Sequence, residues 1–153
     1  MKFKTTTGSI KRVKNFKKHF IDWEADSKSI LQKKVKHFLF DFWRYDVVLE
    51  EFPIPGSLLS LDFFNANKRI AIEVQGGQHR KYIPYFHKRK GDWLNQQYRD
   101  ADKFNFCDIN NITLLEIEEN DIPAQERRNS FPISQKFKDC IIEVVENKYN
   151  IDL

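Results

Sequence analysis

Two apolar segments separated by a short polar turn dominate the middle of the chain, at 57–64 and 69–75. The turn over 65–68 and the mixture of β-branched and aromatic residues on either side of it predict a β-hairpin. Each segment carries one carboxylate, Asp62 or Glu73, among apolar neighbours. Because carboxylates are rarely buried unless they are paired or bound to a metal, this hairpin restricts both the fold and the chemistry of its surface.

Side-chain alternation divides the predicted hairpin between two faces. If residue 64 pairs with residue 69, one face carries Ser60, Asp62, Ala71, Glu73 and Gln75, and the other carries Leu59, Leu61, Phe63, Ile70, Ile72 and Val74. Asp62 and Glu73 are then diagonal neighbours with backbones about 7–8 Å apart, provided that neither strand contains a bulge. Two flexible carboxylates at that separation can close on one cation.

The rest of the chain predicts an α/β fold in which helices flank a mixed β-sheet. The other predicted elements are a short helix over 16–25, a helix over 29–43, a strand over 47–52, a helix over 93–109 capped by Asp92, a strand over 112–117 and a last helix capped by Ser134. A length of 153 residues suits one compact domain, which we place at 16–153 after a flexible basic arm over 1–15.

Positive charge is concentrated in two stretches of the chain. Residues 1–20 hold seven Lys or Arg and no acid, and residues 80–90 hold five, whereas residues 116–153 hold nine acids against five Lys or Arg. This segregation favours a polyanionic partner on one side of the molecule, although a basic run is also typical of an ordinary solvated surface. The candidate contacts are Lys11, Arg12, Lys14, Arg80, Lys81, Tyr82, Lys88, Arg89 and Lys90. Their cations suit phosphates, and the interleaved aromatic rings suit bases.

Asp62 and Glu73 offer the hard oxygen ligands that Mg²⁺ and Mn²⁺ prefer. The alternative is that both are surface acids on the solvated face of a sheet. Gln75 shares their face and can position a water or a phosphate. His79 follows the Gly76-Gly77 turn, where an imidazole can take a proton from water at neutral pH, or can be an ordinary surface histidine.

Asp100 has two interpretations. It lies one turn before Lys103 in the predicted helix over 93–109, a spacing that favours a simple ion pair. If this helix instead faces the sheet, Asp100 can orient His79 or a water.

These residues together resemble the PD-(D/E)XK nuclease superfamily, and more narrowly its very-short-patch repair endonucleases and related small nucleases, including homing endonucleases. The resemblance covers roughly residues 29–122, and its most specific part runs from Glu73 to His79. It implies a restriction-endonuclease-like core in which Asp62 and Glu73 hold Mg²⁺ or Mn²⁺. It also implies that His79 acts on the attacking water and that Asp100 supports it.

The chain departs from that superfamily at several positions. Leu61 rather than Pro precedes Asp62, Gln75 stands where Lys is usual, and the first helix offers Gln32 instead of an acid. Glu51 and Glu24 are the alternative acids. Two separated cysteines, Cys107 and Cys140, cannot build the zinc site of the mismatch-repair enzymes.

The sequence therefore predicts a Mg²⁺-dependent DNA endonuclease that hydrolyses phosphodiester bonds, acts on duplex DNA and works in the cytoplasm without a membrane anchor. Cutting both strands would favour a homodimer, a state on which the sequence is silent. A non-catalytic nucleic-acid-binding module on the same fold is an open alternative. So is a nuclease that cleaves branched DNA or RNA.

Overall fold

A computed structural model describes residues 1–76 and 90–153, with Lys90 described through its backbone alone. The strands are β1 (Lys2–Lys4), β2 (Ile10–Arg12), β3 (Val48–Pro53), β4 (Ser60–Asn65), β5 (Ile70–Gln75) and β6 (Thr113–Glu118), and the helices are α1 (Ile30–Trp43), α2 (Lys90–Ile109) and α3 (Gln135–Glu143). Strands β3 to β6 form a four-stranded sheet in that order. Its first two pairings are antiparallel and the pairing of β5 with β6 is parallel, so the predicted mixed α/β sheet is confirmed.

Helices α1 and α3 pack in one hydrophobic cluster with the sheet. The Ser29 hydroxyl caps α1 by accepting a hydrogen bond from the Gln32 N–H at 3.1 Å, and the Ser134 hydroxyl caps α3 through the Phe137 N–H at 3.0 Å. The cluster joins these helices to alternate residues of β5, among them Ile70 and Ile72. The sequence predicted the Ser134 cap, whereas Ser29 was expected only as the start of the helix over 29–43.

Helix α2 and the N-terminal strands pack in the second cluster. Phe106 and Cys107 are the buried residues that α2 contributes, and they meet Phe64 and Ala71 of the hairpin. The helix begins before the expected position, so Asp92 lies in its first turn and is not its N-cap. The sheet is thus covered on both faces, which fixes the hairpin between two helical layers.

The N-terminal residues differ from the expected flexible arm. Strands β1 and β2 pair antiparallel, and Phe3 and Val13 are buried beside them. The Asn110 side chain holds β1 by accepting from the Lys4 N–H and donating to the Lys4 carbonyl, both at 2.9 Å. The prediction considered only the basic residues of this segment and overlooked Phe3 and Val13, which pack the hairpin against the second cluster.

The turn between β4 and β5 occupies 66–69, one residue later than predicted. Asn65 consequently pairs with Ile70, and Phe63 pairs with Ile72. Since a one-residue shift of a turn displaces the cross-strand pairing by two residues, Asp62 comes directly opposite Glu73 rather than diagonal to it. The predicted face of the two acids survives because a two-residue displacement preserves the alternation.

Strict alternation fails next to Asp62. Glu51 has a left-handed φ of 51°, and the pairing of β3 with β4 skips Glu51 and Asp62. Leu61 therefore packs in the second cluster with Phe64, three residues away, and not with Phe63 and Ile72 as predicted. A non-glycine residue with positive φ is costly, and such irregularities concentrate at functional sites.

No helix in the described ranges 1–76 and 90–153 combines the length and apolar character needed to cross a membrane.

Phe3→Ala tests whether the N-terminal hairpin is part of the folded core. The Phe3 ring is 3% exposed and lies 5.5 Å from the Phe52 ring and 5.6 Å from the Phe106 ring, centroid to centroid. Truncation of a buried phenylalanine removes about 3 kcal/mol from the free energy of unfolding. Chemical denaturation measures this loss. The matched control is Ile10→Ala in β2, where the side chain is 67% exposed and the effect is expected to be small. Equal stability of the two variants would instead support the prediction that residues 1–15 form a flexible arm.

Candidate functional site

The two hairpin carboxylates replace a pair of ladder hydrogen bonds. The Asp62 N–H donates to Glu73 Oε2 at 2.9 Å, and the Val74 N–H donates to Asp62 Oδ2 at 2.8 Å. Backbone pairing between β4 and β5 stops at Phe63 and Ile72, so side chains satisfy the backbone groups that the separating strands leave unpaired. These reciprocal bonds hold both acids in fixed positions beside each other.

Lys103 reaches the same point from helix α2. Its ammonium group bonds Glu73 Oε1 and forms a salt bridge with that carboxylate. Glu73 is 2% exposed, and a buried carboxylate needs such a partner. The pKa of Lys103 is raised: burial alone would lower it, but Glu73 in contact and Asp62 and Asp100 nearby outweigh that effect. The ammonium is therefore charged at physiological pH.

The surroundings of Asp62 favour the protonated form of its carboxyl group. Burial, the negative charge of Glu73 and a hydrogen bond with that carboxylate raise the pKa of Asp62 to about 8. The Val74 N–H and the Lys103 ammonium act in the opposite direction. The Asp62 carboxyl thus keeps its proton near neutral pH when no additional cation is present.

A cleft of about 500 Å³ opens over this pair. Its lining residues come from the start of α1, from β4 and β5, from α2 and from the segment after β6, and are Lys28, Ser29, Leu31, Gln32, Asp62, Glu73, Val74, Gln75, Gly76, Asp100, Lys103, Glu119 and Arg127. Four of the five residues predicted as catalytic therefore line one cleft. The structure brings together Asp62, Glu73, Gln75 and Asp100.

Gln75 is buried at the end of β5, and its amide is held in one orientation. Its Nε2 donates to Glu116 Oε1 on β6 at 3.2 Å. The parallel pairing of β5 with β6 places Gln75 opposite Glu118 and places Glu73 opposite Glu116. Gln75 is thus a fixed polar group next to Glu73, without the positive charge that a lysine would bring there.

The first helix contributes a buried amide to the cleft. Gln32 Nε2 donates to Glu50 Oε1 at 3.2 Å and to Glu51 Oε1 at 3.1 Å, which ties α1 to β3. Lys36 is fully buried and bonds Glu50 Oε2 at 3.0 Å, and the Ser60 hydroxyl donates to Glu51 Oε2 at 3.2 Å. Glu51 is thus engaged by side chains of α1 and β4.

Glu24, the other alternative acid, lies elsewhere. It lines a separate cavity with Trp23, His37 and Phe40. Glu24 is not among the residues that line the main cleft, so its substitution for a first-helix acid stays a prediction.

The donor set at the base of the cleft fits a hard divalent cation with part of its water shell. Asp62 and Glu73 supply carboxylate oxygens whose remaining lone pairs can accept a metal. Within residues 1–76 and 90–153, no three His, Cys, Asp or Glu side chains are grouped as a metal site. Two carboxylates plus water are what Mg²⁺ commonly uses, so the pair is compatible with that ion.

Several predicted residues lie outside the described part of the chain. These are His79, Arg80, Lys81, Tyr82, Lys88 and Arg89, together with the side chain of Lys90. Lys11, Arg12 and Lys14 are exposed on or beside β2 of the N-terminal hairpin. They are not among the residues that line the cleft.

Sequence reasoning missed the cationic part of the cleft. Lys103 was interpreted only as a partner for Asp100, and Lys28 and Arg127 carried no prediction. Arg127 Nη1 bonds Glu119 Oε1 at 2.7 Å within the cleft wall. Since Lys103 and Glu73 are 30 residues apart, no local spacing signals their contact. The sequence contained one weak signal, because Lys103 and Asp100 belong to the same predicted helix and one interpretation of Asp100 had that helix facing the sheet.

Segments of viral proteins resemble part of this chain. It is 44% identical over 59 residues to uncharacterized protein 307L of Invertebrate iridescent virus 6, which covers 39% of this chain and 30% of that protein. It is 38% identical over 65 residues to uncharacterized protein 033L of Invertebrate iridescent virus 3, covering 42% and 34% respectively. It is also 38% identical over 66 residues to uncharacterized protein 094L of Frog virus 3 (isolate Goorha), covering 42% and 43%.

The matches span between 30% and 43% of the length of these curated relatives. No protein-family model matches the chain, and no solved structure matches it. The names of the relatives carry no activity, so the functional argument depends on the geometry of the cleft.

Asp62→Asn tests the raised pKa of Asp62. Because the pKa of Asp62 in the folded protein is about 8, above its ordinary value of 3.8, the folded chain holds a proton that the unfolded chain has lost across that interval. The free energy of unfolding of the metal-free protein therefore falls as the pH rises through this window. Between pH 5 and 8 we expect the wild type to lose at least about 1 kcal/mol more than Asp62→Asn in urea denaturation.

The control for this experiment is Asp139→Asn, which removes an exposed carboxylate on α3. It should reproduce the pH dependence of the wild type. Parallel stability curves for wild type and Asp62→Asn would show that the pKa of Asp62 is not raised in the folded protein.

Proposed function

We propose that this protein is a metal-dependent endonuclease with a restriction-endonuclease-like core that hydrolyses phosphodiester bonds in DNA. The observation that carries the proposal is the Asp62–Glu73 pair, fixed by reciprocal hydrogen bonds at the point where β4 and β5 separate. The element order α1, β3, β4, β5, α2, β6 and the cleft above the acids support it. Each acid comes from a different strand, so the pair is a product of this hairpin.

Asp62 and Glu73 would hold Mg²⁺ or Mn²⁺ at the base of the cleft. The cation would orient a phosphate, stabilise the charge that develops in the transition state and lower the pKa of a bound water. The carboxylates themselves are held rigidly, because each accepts a backbone N–H within the same hairpin. A rigid pair of ligands loses little entropy on binding and fixes the position of the substrate.

The other cleft residues have complementary roles in this proposal. The Gln75 amide, oriented by Glu116, contacts the attacking water or a phosphate oxygen. His79 accepts the proton of that water, and Asp100, which lines the same cleft, helps to position these groups.

Nucleic acid would be bound mainly through its phosphates. Lys11, Arg12 and Lys14 are exposed on a docked hairpin, so their charges are presented on a fixed surface. The basic residues of 80–90, namely Arg80, Lys81, Lys88, Arg89 and Lys90, and the Tyr82 ring complete the proposed contact surface. Contacts of this kind give affinity for duplex DNA without sequence specificity. Cleavage of both strands would require two copies of the site, as in a homodimer.

A second candidate is a nucleic-acid-binding module that performs no catalysis. The observation in its favour is that Gln75 occupies the position where a lysine is usual, and that its amide donates a hydrogen bond to Glu116. A module of this kind would bind DNA equally well in EDTA and in Mg²⁺, and Glu73→Gln would not alter its affinity. Comparison of duplex, branched and RNA substrates would separate a DNA nuclease from a junction-resolving or RNA-cleaving enzyme with the same site.

Nicking of supercoiled plasmid in Mg²⁺ tests the endonuclease proposal. We expect the purified protein to convert supercoiled DNA to open circles, and EDTA to stop the reaction. Asp62→Asn and Glu73→Gln should each lower the rate by at least about a hundredfold, since a catalytic metal contributes several kcal/mol and each 1.4 kcal/mol is a factor of ten.

Asp102→Asn is the matched control for this experiment. Asp102 is exposed on α2 next to Lys103, so the substitution removes one carboxylate without touching the base of the cleft. It should cleave at the rate of the wild type. Cleavage by Asp62→Asn and Glu73→Gln at that same rate would refute the proposed site and leave the binding module as the better hypothesis.

A further inference from the structure

The base of the cleft already contains a positively charged group of the protein itself, the Lys103 ammonium. Glu73 Oε2 accepts the Asp62 N–H at 2.9 Å, a bond to the backbone that cannot move independently of the strand. Glu73 Oε1 is bonded by the Lys103 ammonium at the end of a four-carbon side chain. Of the two partners described here for Glu73, Lys103 is therefore the one that can leave.

A space next to the cleft can accept the Lys103 ammonium when it leaves Glu73. Its side chain is 20% exposed, and it lines both the main cleft and an adjoining depression of about 220 Å³. Lys28 and Asp100 also line both spaces, and Ser60 and Arg99 line the second one. A rotation of the lysine side chain can thus move the ammonium from Glu73 toward the depression while α2 stays in place.

A divalent cation and the ammonium compete for the same carboxylate oxygen. Both are attracted by Asp62 and Glu73, and they repel each other at contact distance in a partly desolvated site. The acids alone attract a cation, so the lysine lowers the affinity of the pair for free metal. A negatively charged phosphate at the cleft would provide the displaced ammonium with a new partner.

We propose that Lys103 is an exchangeable place-holder: its ammonium neutralises Glu73 in the metal-free protein and transfers to a phosphate of the bound nucleic acid when a divalent cation takes its place. The inference rests on the proposed metal site. It adds to that site a positive charge, which the neutral Gln75 amide cannot provide. Metal binding and phosphate binding are coupled through one side chain, so metal in the cleft makes a phosphate contact available.

Titration of the DNA-free protein with Mn²⁺ tests the first half of this exchange. Isothermal titration calorimetry at pH 8 should show that Lys103→Gln and Lys103→Met bind Mn²⁺ about tenfold more tightly than the wild type, since each removes the competing charge. Lys103→Arg keeps the charge and should bind like the wild type. Lys136→Gln, which removes an exposed charge on α3, is the matched control and should have no effect.

A measurement on the wild-type protein guards against loss of folding in these variants. In ¹⁵N-lysine-labelled protein, the Nζ resonance that is absent from Lys103→Arg belongs to Lys103. That resonance should shift when Mg²⁺ is added to the metal-free wild type. Unchanged Mn²⁺ affinity in folded Lys103→Gln, or a Lys103 resonance unaffected by saturating Mg²⁺, would overturn the exchange.

DNA binding tests the second half. In EDTA, Lys103→Gln should bind duplex DNA with the same dependence of log K on log salt as the wild type, because the ammonium is engaged with Glu73. In Ca²⁺ the slope of the variant should be smaller by about one, which corresponds to the loss of one phosphate contact. Equal slopes in both conditions, or a reduced slope already in EDTA, would contradict the transfer.

The two proposals fail in distinguishable ways. If neither the wild type nor the Lys103 variants bind Mn²⁺, the metal site itself is refuted and the exchange falls with it. If the wild type binds Mn²⁺ and nicks plasmid while Lys103→Gln binds the ion no more tightly, the endonuclease proposal stands and only the exchange is refuted.

Discussion

The hydrogen bonds between Asp62 and the strand that carries Glu73 determine the character of this protein. A sheet normally satisfies its backbone groups with other backbone groups, but here β4 and β5 separate and two carboxylates take over that role. The left-handed Glu51 and the skipped pairing on the other side of Asp62 belong to the same irregularity. The cost of this broken ladder is local strain, and its result is a pair of acids held side by side at the base of a cleft.

The surrounding charges follow from burying that pair. Two carboxylates this close cannot both remain ionised without compensation, which explains the raised pKa of Asp62 and the salt bridge from Lys103 to Glu73. Gln32 and the buried Lys36 tie Glu50 and Glu51 into a separate network that joins α1 to the sheet. Opposite charges are paired in this network, and a bound cation would complete the charge compensation of Asp62 and Glu73 in the cleft.

Much of the fold was predictable because its signals are local. The serine caps of α1 and α3 precede apolar stripes of helical period, and the hairpin announces itself by two apolar segments around a turn. The register could not be read from the sequence, since the four-residue turn lies one residue later than expected and ends at Arg69, which adopts a left-handed φ of 54°. The N-terminal hairpin was missed because its basic residues outnumber the two apolar side chains, Phe3 and Val13, that anchor it to the core.

The sequence by itself determined that Asp62 and Glu73 would share a face of one hairpin, because alternation along two adjacent strands is a local property. It also determined that Gln75 would lie beside Glu73. Only the tertiary structure decided that Lys103 would neutralise Glu73 and that Gln32 would bond Glu50 and Glu51 of β3. Those contacts join elements far apart in the chain, and their geometry depends on how α1 and α2 pack against opposite faces of the sheet.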